Sequence, residues 1–551
     1  TGKLSTVEFD MTWRDRDGGL FEACGLAHEG PTSNGVDFDG LIYDSLTANT
    51  FKGLCGAVIS SRRKALIMGI HVGGIEGRPK GCASILRQDA VRRAIHNLRS
   101  LEGVIITGSS EKFEPQVLGK YVLRESQLHP KSPLNYMPHD SQVEYYGECP
   151  GMVTFKSDVK VTPISEHVID VTGVPNTYRG PVEEPQYYGW QKCLSNLANP
   201  AHPFEYDLLE VAIKDYKEAL LPIFKSTLWN DCAPLDDKTN LCGAVGKKFI
   251  DPIPLNTSIG FPLSGSKRNF VVELPPTEDR PVNREFIPEI MDEIQRCLDC
   301  YRRGERAYTI AKACKKDEVL PAPKDPNDIG KCRIFYGNPI ALTFLIRRYF
   351  LPIVRVLQFN PLVSECAVGI NSHGPEWEEL HNHVLKYGGE RVLAGDYGKY
   401  DQKLPSQLVG AAIRILIDFA RCCNYTEEDV CIMEAMAGEV MFPIIAFNGD
   451  LIGLTEGTHI SGNSLTVIIN GICGSLNLRC CFYTLYPPAS FEERMVFRDH
   501  VALMTYGDDN VGSVSESATK FNIKSVSRIL EKYGQTYTMP DKESELTEYM
   551  Q

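Results

Sequence analysis

Met504-Thr505-Tyr506-Gly507-Asp508-Asp509-Asn510 places two adjacent carboxylates at a glycine-containing turn. An apolar run at 501–506 leads in and a second β-prone run at 510–514 leads out, so the stretch predicts a hairpin with acid at its tip. Paired aspartates on a rigid turn suit a hard divalent cation, because Mg²⁺ takes few protein carboxylates and keeps room for water and phosphate oxygens. Standing alone, the same residues make an acidic surface turn. Partners elsewhere in the chain decide between the two.

Length and composition admit several globular domains, with 551 residues of which 43% are apolar. The 18 cysteines are scattered, often as neighbours such as Cys422-Cys423 and Cys480-Cys481, which favours buried thiols in a reducing compartment. The one C-x-x-C, Cys297 to Cys300, has no second pair at finger spacing, and no metal is assigned to it. No uninterrupted apolar run approaches membrane-spanning length, and the first residues lack a signal pattern. A net charge of −13 argues against a uniformly basic coat, yet residues 301–350 carry 11 Lys/Arg against 5 Asp/Glu, a local excess of +6. A focused basic channel in an acidic protein fits that distribution.

Upstream of the hairpin, residues 391–394 read as a buried strand, and Gly395-Asp396-Tyr397-Gly398-Lys399-Tyr400-Asp401 follows directly. Asp396 at the strand end is placed to bind metal, while Asp401, five residues on, suits a neighbouring group such as a ribose hydroxyl. Ser461-Gly462-Asn463-Ser464-Leu465-Thr466 makes a flexible turn into an apolar helix on which Thr466 and Asn470 share one face. A buried polar stripe needs partners, and Asp401 with a nucleotide 2′-OH would supply them. By itself, the segment is a core helix capped by Ser461. Lys315-Lys316-Asp317-Glu318 and Lys331-Cys332-Arg333 flank a Pro-rich loop. On neighbouring strands, Arg333 offers phosphate a planar fork and Lys316 and Lys331 act as point charges; singly, each is a solvated basic residue. Asn256-Thr257-Ser258-Ile259-Gly260-Phe261-Pro262 is a turn able to approach a nucleic-acid strand, and it lies between helical runs at 206–224 and 287–303. The run 339–357, with Arg347 and Arg348 inside it, also reads as a helix, and His381 and His383 read as structural.

In order, N-T-S-x-G-F-P, K-K-D-E with K-x-R, D-x4-D, S-G-x3-T-x3-N, Y-G-D-D and the P-D-K of Pro540-Asp541-Lys542 resemble the motifs of RNA-dependent RNA polymerases of picorna-like viruses. The resemblance covers about residues 256–542. It implies an α+β right-hand fold whose palm presents Asp396 and Asp508 to two Mg²⁺ ions, with Asp509 supporting and Mn²⁺ able to substitute. It further implies attack of an RNA 3′-OH on the NTP α-phosphorus, with metal activating the attacking oxygen and stabilising charge on the phosphate. Lys316, Lys331 and Arg333 would bind triphosphate, and Asp401, Ser461, Thr466 and Asn470 would read the ribose. Thr257, Ser258 and Gly260 would contact template, and Lys542 would act as general acid for pyrophosphate release. Two departures stand out: Ile460 replaces a frequent Pro, and Gly398 a frequent Ser or Thr; both affect loop stiffness and neither removes a ligand. Only 42 residues follow Asp509, so a thumb is expected to be largely missing.

Residues 1–98 show short alternating runs that read as β-rich. Within them, Phe51-Lys52-Gly53-Leu54-Cys55-Gly56-Ala57-Val58 sets Cys55 between glycines, which lets successive N–H groups aim at an oxyanion with the thiolate as nucleophile. Without company, Cys55 is a small residue in a turn. With Gly69-Ile70-His71-Val72-Gly73-Gly74 it resembles the C-terminal barrel of the chymotrypsin-like cysteine proteases of picorna-like viruses. Cys55 then matches the nucleophile, and His71 and Thr50 the pocket that reads a substrate glutamine, with the viral polyprotein as substrate. That family's catalytic His and acid lie in an earlier barrel, and His28 is too close to Cys55 to fill the place, so this is half a protease without its general base. A helix-like run at 88–101 leads into a polar, Pro-rich region to about residue 185, which reads as a linker merging into irregular structure. Residues 99–145 read as linker and cleavage junction, with Gln116, Gln127 and Gln142 as candidate sites, and 146–551 as fingers and palm.

A reverse transcriptase has a similar acidic hairpin, but the Asp401 and Asn470 pair argues against it, since a DNA-making enzyme is expected to block the 2′-OH with bulk. A second alternative is a catalytically incompetent RNA-binding fragment, which would bind RNA in a salt-dependent way and extend it poorly. RNA template and primer, NTPs, a protein primer and replication at membrane-associated complexes in the host cytoplasm are implied by the resemblance.

Overall fold

Phe9 and Met11 alternate with Asp10 and Thr12, the period-two pattern of a strand with one wet face. In the computed structural model, which describes residues 7–14, 20–33, 37–43, 45–51, 54–62, 67–86, 128, 132–138, 141–149, 157–181, 188–322 and 332–550, they lie in the first strand of a closed antiparallel barrel. Around the barrel the order is Val7–Arg14, Leu20–Ser33, Asp37–Tyr43, Gly81–Ile85, Ile67–Gly74 and Val58–Ser61, the last pairing back on the first. Phe9, Met11, Ala27, Tyr43, Ile59 and Ala83 fill the interior. Closure leaves no unpaired sheet edge, which suits a small core. This barrel forms one compact unit, residues 1–105 with 110–114.

Residues 106–109 and 115–551 form the second unit. Its first sheet runs Ile334–Gly337, Ile310–Lys315, Ile444–Phe447, Asp450–Leu454, Val143–Glu148. Trp190, Cys193, Leu194 and Leu197 of the helix Tyr188–Leu197 pack on its apolar face. Val143–Glu148 corrects the sequence reading, which ran an irregular region from the linker to about residue 185: the segment pairs antiparallel with Asp450–Leu454 across a bulge. Its partner lies some 300 residues downstream, so no local pattern announces the pairing. Gln142, just before it, is buried, donates from Nε2 to the Leu197 carbonyl at 2.7 Å, and is therefore not presented for cleavage. Gln116, Gln127 and the whole 88–101 run lie outside the described residues.

The second sheet is antiparallel, in the order Val501–Tyr506, Asp509–Val514, Val392–Tyr397, Tyr537–Thr538. Helices form where the periodicity predicts them: Tyr206–Glu218 followed by Leu221–Phe224, Pro288–Arg302 and Ile340–Phe359. The apolar helix after the S-G turn spans Thr466–Leu485, so Ser461 is not its cap. Thr466 instead accepts the N–H groups of Gly462 and Asn463 at 3.1 Å each, folding the turn back onto the helix start.

Arg479 of that helix has no solvent exposure. Its Nε donates to Asp215 at 2.9 Å, and Nη1 and Nη2 each donate to Glu365 at 2.7 Å. Arg498 reaches Glu365 at 2.8 Å, while Arg494 and the Tyr483 hydroxyl donate to Asp215 at 3.0 and 2.7 Å. The cluster fastens the helices Tyr206–Glu218 and Thr466–Leu485 to one another and to the segments around 365 and 494–498. Removing one member of a buried ion cluster leaves its partners charged and unpaired, which costs about 3–5 kcal/mol. Arg479→Met should therefore destabilise this unit by about that amount in urea unfolding; a change below about 1 kcal/mol would show that solvent or side-chain movement takes over the guanidinium's role.

Candidate active site

The hairpin forms as the sequence predicts, with Tyr506 opposite Asp509 and Gly507 in the left-handed region at φ 65°. Only a residue without a Cβ takes that conformation freely, so glycine at the turn sets Asp508 at the tip. The adjoining strand Val392–Tyr397 pairs Gly395 with Asn510 and carries Asp396 next along. Asn510 donates to the Gly395 carbonyl at 3.1 Å and accepts from the Tyr537 hydroxyl at 2.8 Å. A Cβ on Gly395 would sit 2.1 Å from the Tyr537 ring, so glycine there lets the ring lie across the strand. Burial pushes the Asp509 carboxyl up, the charges of Asp508 and Asp396 push it further, and Lys542 partly offsets them. The three carboxylates thus share one field.

Among the described residues no group of three or more His, Cys, Asp or Glu side chains stands ready to hold a metal ion. Asp396 instead meets Lys542, whose Nζ lies 2.8 Å from its Oδ2. Lys542 sits in the left-handed region at φ 62°, in a turn closed by its N–H on the Met539 carbonyl at 2.9 Å. Carboxylate oxygens crowded so that burial and neighbouring charge push the Asp509 carboxyl up are the hard donors that a divalent cation such as Mg²⁺ takes.

Two further polar groups, Asp401 and Asn470, stand on the segments that follow Asp396 and the S-G turn. Burial pushes the Asp401 carboxyl up and the charge of Asp508 adds to it, against hydrogen bonds from Ser461 and the Gln402 N–H. Asn470 is 6% exposed, and its Oδ1 has no hydrogen-bond partner. A buried acceptor left open in this way is a place for a ligand donor. Thr466 shares the helix face, with its oxygen engaged by the turn.

Lys316 and Arg333 lie on adjacent chain segments, the Lys316 N–H donating to the Arg333 carbonyl at 3.0 Å. Both side chains converge on Glu318, at 3.2 and 3.4 Å. Glu318 is spelled out in the K-K-D-E stretch, yet its use as the acid between the two cations is visible only in three dimensions. Lys331 lies outside the described residues. In the 256–262 turn, Lys267 donates to Thr257 Oγ1 and to the Ser258 carbonyl, each at 2.7 Å, and Ser258 Oγ accepts the Gly260 N–H at 3.2 Å. Burial lowers the Lys267 ammonium. Its spacing from Thr257 gives no sequence signal for this contact. A Cβ on Gly260, at φ 93°, would lie 2.5 Å from Asn338 O, and one on Gly462, at φ 123°, 1.9 Å from Tyr336 O. Both turns therefore dock on the strand that continues from Arg333.

In the barrel, Cys55 is exposed, and its thiol donates to the Val72 carbonyl at 3.5 Å. The Gly56 N–H donates to the His71 carbonyl at 2.9 Å, fixing this turn beside the buried His71. Tyr43, which sequence reasoning missed, places its hydroxyl on His71 Nδ1. Burial lowers the His71 imidazole, which favours its neutral form. Thr50 Oγ1 donates to the carbonyls of Ile75 and Arg78 at 2.8 and 3.0 Å. His28 faces solvent opposite Ile42, and no imidazole is hydrogen-bonded to Cys55 among the described residues.

The sheet that carries the three aspartates, together with the basic sheet and helices around it, is a mixed α+β polymerase fold. The chain belongs to the viral RNA-dependent RNA polymerase family, whose model matches residues 176–550. It is 27% identical over 507 residues to a genome polyprotein of Deformed wing virus, covering 89% of this chain and 17% of that one. It is 24% identical over 547 residues to a replicase polyprotein of Cricket paralysis virus, covering 91% and 29%. The chain thus spans less than a third of either polyprotein. A solved Sicinivirus 3Dpol RNA dependent RNA polymerase shares the fold at a TM-score of 0.53 and 17% identity, over 78% of each chain.

His459, two residues before the S-G turn, is fully buried with neither ring nitrogen hydrogen-bonded, and burial pushes it down to about 4. Unfolded, it takes a proton near pH 6.5; folded, it resists until about 4. Stability should be untouched above pH 6.5 and fall by about 3 kcal/mol as pH drops toward 4. Urea unfolding at pH 7.5 and pH 5 should show a loss that His459→Leu abolishes; equal losses in both proteins would show that His459 is not the group responsible.

Proposed function

We propose that this chain performs template-directed RNA synthesis, transferring a nucleotide from an NTP to an RNA 3′-OH. What supports the reading is geometric: the hairpin that carries Asp508 and Asp509 pairs with the strand that carries Asp396, in a chain of the viral RNA-dependent RNA polymerase family, and the charge of Asp508 also acts on Asp401. Metal and sugar recognition are thereby neighbours, as nucleotidyl transfer requires.

Asp396 and Asp508 would hold two Mg²⁺ ions, with Asp509 supporting and Mn²⁺ as a substitute. Such ions, when bound, activate the attacking oxygen and stabilise charge on the phosphate. Lys316 and Arg333, with Lys331, hold the triphosphate in the orientation for in-line attack. Asp401, Ser461, Thr466 and Asn470 hold the ribose, and the open Asn470 Oδ1 accepts the 2′-OH. Lys542, a proton donor beside Asp396, protonates the departing pyrophosphate. Thr257, Ser258 and Gly260 guide template through a turn that Lys267 stiffens. RNA template and primer, a protein primer and a membrane-associated site in the host cytoplasm belong to the same reading; among the described residues no helix is long and apolar enough to cross a membrane.

The barrel we assign as the C-terminal barrel of a chymotrypsin-like cysteine protease, with Cys55 as nucleophile and Thr50, His71 and Tyr43 lining a pocket for glutamine. A neutral His71 donates to the amide oxygen of Gln and offers a carboxylate no counter-charge. A domain limit near residue 98 goes with this assignment, while the other, near 145, falls inside the strand Val143–Glu148 of the polymerase sheet.

Primer extension on an RNA template with ribo- and deoxyribonucleotides tests the polymerase. Incorporation should need Asp396 and Asp508, and Asn470→Leu should cut the ribo-over-deoxy preference by about tenfold or more. Equal use of both sugars by the unaltered protein would point to a reverse transcriptase. RNA binding without any incorporation would leave only an RNA-binding role.

A further inference from the structure

Thr505 stands two residues before the turn glycine, and it is tied down on both sides by groups no motif assigns. Its N–H donates to the Glu365 carbonyl at 2.8 Å, its Oγ1 donates to the same oxygen at 2.7 Å, and its own carbonyl accepts the Ala367 N–H at 2.9 Å. Cys366 and Thr505 thus form a parallel bridge along the outer edge of the hairpin. Glu365 itself lies in the left-handed region at φ 56°, a conformation unusual for a glutamate and held here by its side chain. That carboxylate is gripped by Arg479 and Arg498.

Arg479 belongs to the helix Thr466–Leu485, whose first turns carry Thr466 and Asn470. The same helix touches Thr505 directly: a Cβ on Gly471 would lie 2.8 Å from Thr505 Oγ1, and one on Gly474 3.9 Å from Thr505 Cγ2. The Thr505 hydroxyl is therefore held between the Glu365 carbonyl and the helix turn at Gly471, where the lack of a side chain leaves room for it. One continuous path runs from Asn470 through its helix to Arg479, Glu365, Thr505 and the aspartates at the tip.

We propose that Thr505 is a positioning residue. Its hydroxyl sets the hairpin along the ribose-reading helix, so that Asp508 and the nucleotide held at Asp401 and Asn470 stay in register. The inference rests on the polymerase reading. Loss of the hydroxyl leaves the triphosphate and ribose contacts in place, so ground-state binding survives. The carboxylates then slip relative to the α-phosphorus, and a misplacement of about 1 Å is enough to slow the chemical step by about a hundredfold.

Single-nucleotide incorporation by the full polypeptide tests this with Thr505→Val, Thr505→Ser and Gly471→Ala. Thr505→Val keeps the shape and removes the donor; it should lower kcat by about 10- to 100-fold with KM for the NTP within about twofold. Thr505→Ser restores the donor and should recover kcat to within about threefold of the unaltered protein. Gly471→Ala presses on the same hydroxyl from the helix and should reproduce the kcat loss, giving a second reading if the valine protein fails to fold. A merely structural residue would lose melting temperature and active fraction, and its lower apparent kcat would return to normal once rates are divided by the fraction of active sites. Normal kcat in Thr505→Val, failure of serine to rescue, or a rise in KM that accounts for the loss would each overturn the proposal. An unaltered protein that incorporates nothing would instead overturn the polymerase reading, and this inference with it.

Discussion

The guanidinium of Arg479 is taken wholly out of water, and the rest of the polymerase unit is arranged to make that tolerable. A buried charge of this kind is acceptable only when every donor is met. Asp215 and Glu365 meet them from two separate segments, with Ser475 from the helix itself. Burial alone would push both carboxyls up, but Arg479, with Tyr483 and Arg494 at Asp215 and Arg498 at Glu365, holds them below their ordinary values. Folded carboxyls below their unfolded pKa contribute stability that is present above about pH 4 and lost as pH falls through the lowered values. The net gain over an apolar core of the same volume is small. What the cluster gives is registry: a slide of one helix turn would strand a charge, so the helices Tyr206–Glu218 and Thr466–Leu485 have one arrangement.

A second constraint is close backbone approach. Gly260 and Gly462 bring two distant turns onto the strand that leaves Arg333, and Gly395 admits the Tyr537 ring across the strand that carries Asp396. A methyl at any of these would overlap atoms that have nowhere to go, since two of the three contacts are with backbone. The turn at 256–262, the strand Ile334–Gly337 and the turn at 461–466 are consequently held against one another around Tyr336. On the proposed function, preorganisation of that kind means that little rearrangement has to accompany each nucleotide.

The features legible in the sequence are those whose cause is local. The Gly507-Asp508-Asp509 hairpin, the strand before Asp396 and the helices at 206–218, 288–302 and 340–359 follow from period and turn chemistry. The Thr466 and Asn470 face follows from spacing, although Ser461 is no cap, because Thr466 takes the N–H groups a cap would take. What stayed hidden depends on partners far along the chain. Nothing near Tyr43 announces His71, nothing near Val143 announces Asp450–Leu454, and Arg479 reads as one polar residue in an apolar helix until Asp215 and Glu365 arrive from 264 and 114 residues away. Glu318 and Lys267 are a related case: both sit within motifs that sequence reading singled out or just beyond them, yet which atoms they hold is a matter of side-chain direction.

On the proposed function, sugar choice comes from an unmet need rather than from a blocking side chain. Asn470 Oδ1 is buried without a donor, and leaving such an acceptor open costs about 1–3 kcal/mol. A ribose 2′-OH donates to it and removes that cost, whereas a deoxyribose, lacking the hydroxyl, keeps water out and leaves the cost in place. Asp401 strengthens the effect, because burial and the Asp508 charge already make its carboxylate hungry for donors beyond Ser461.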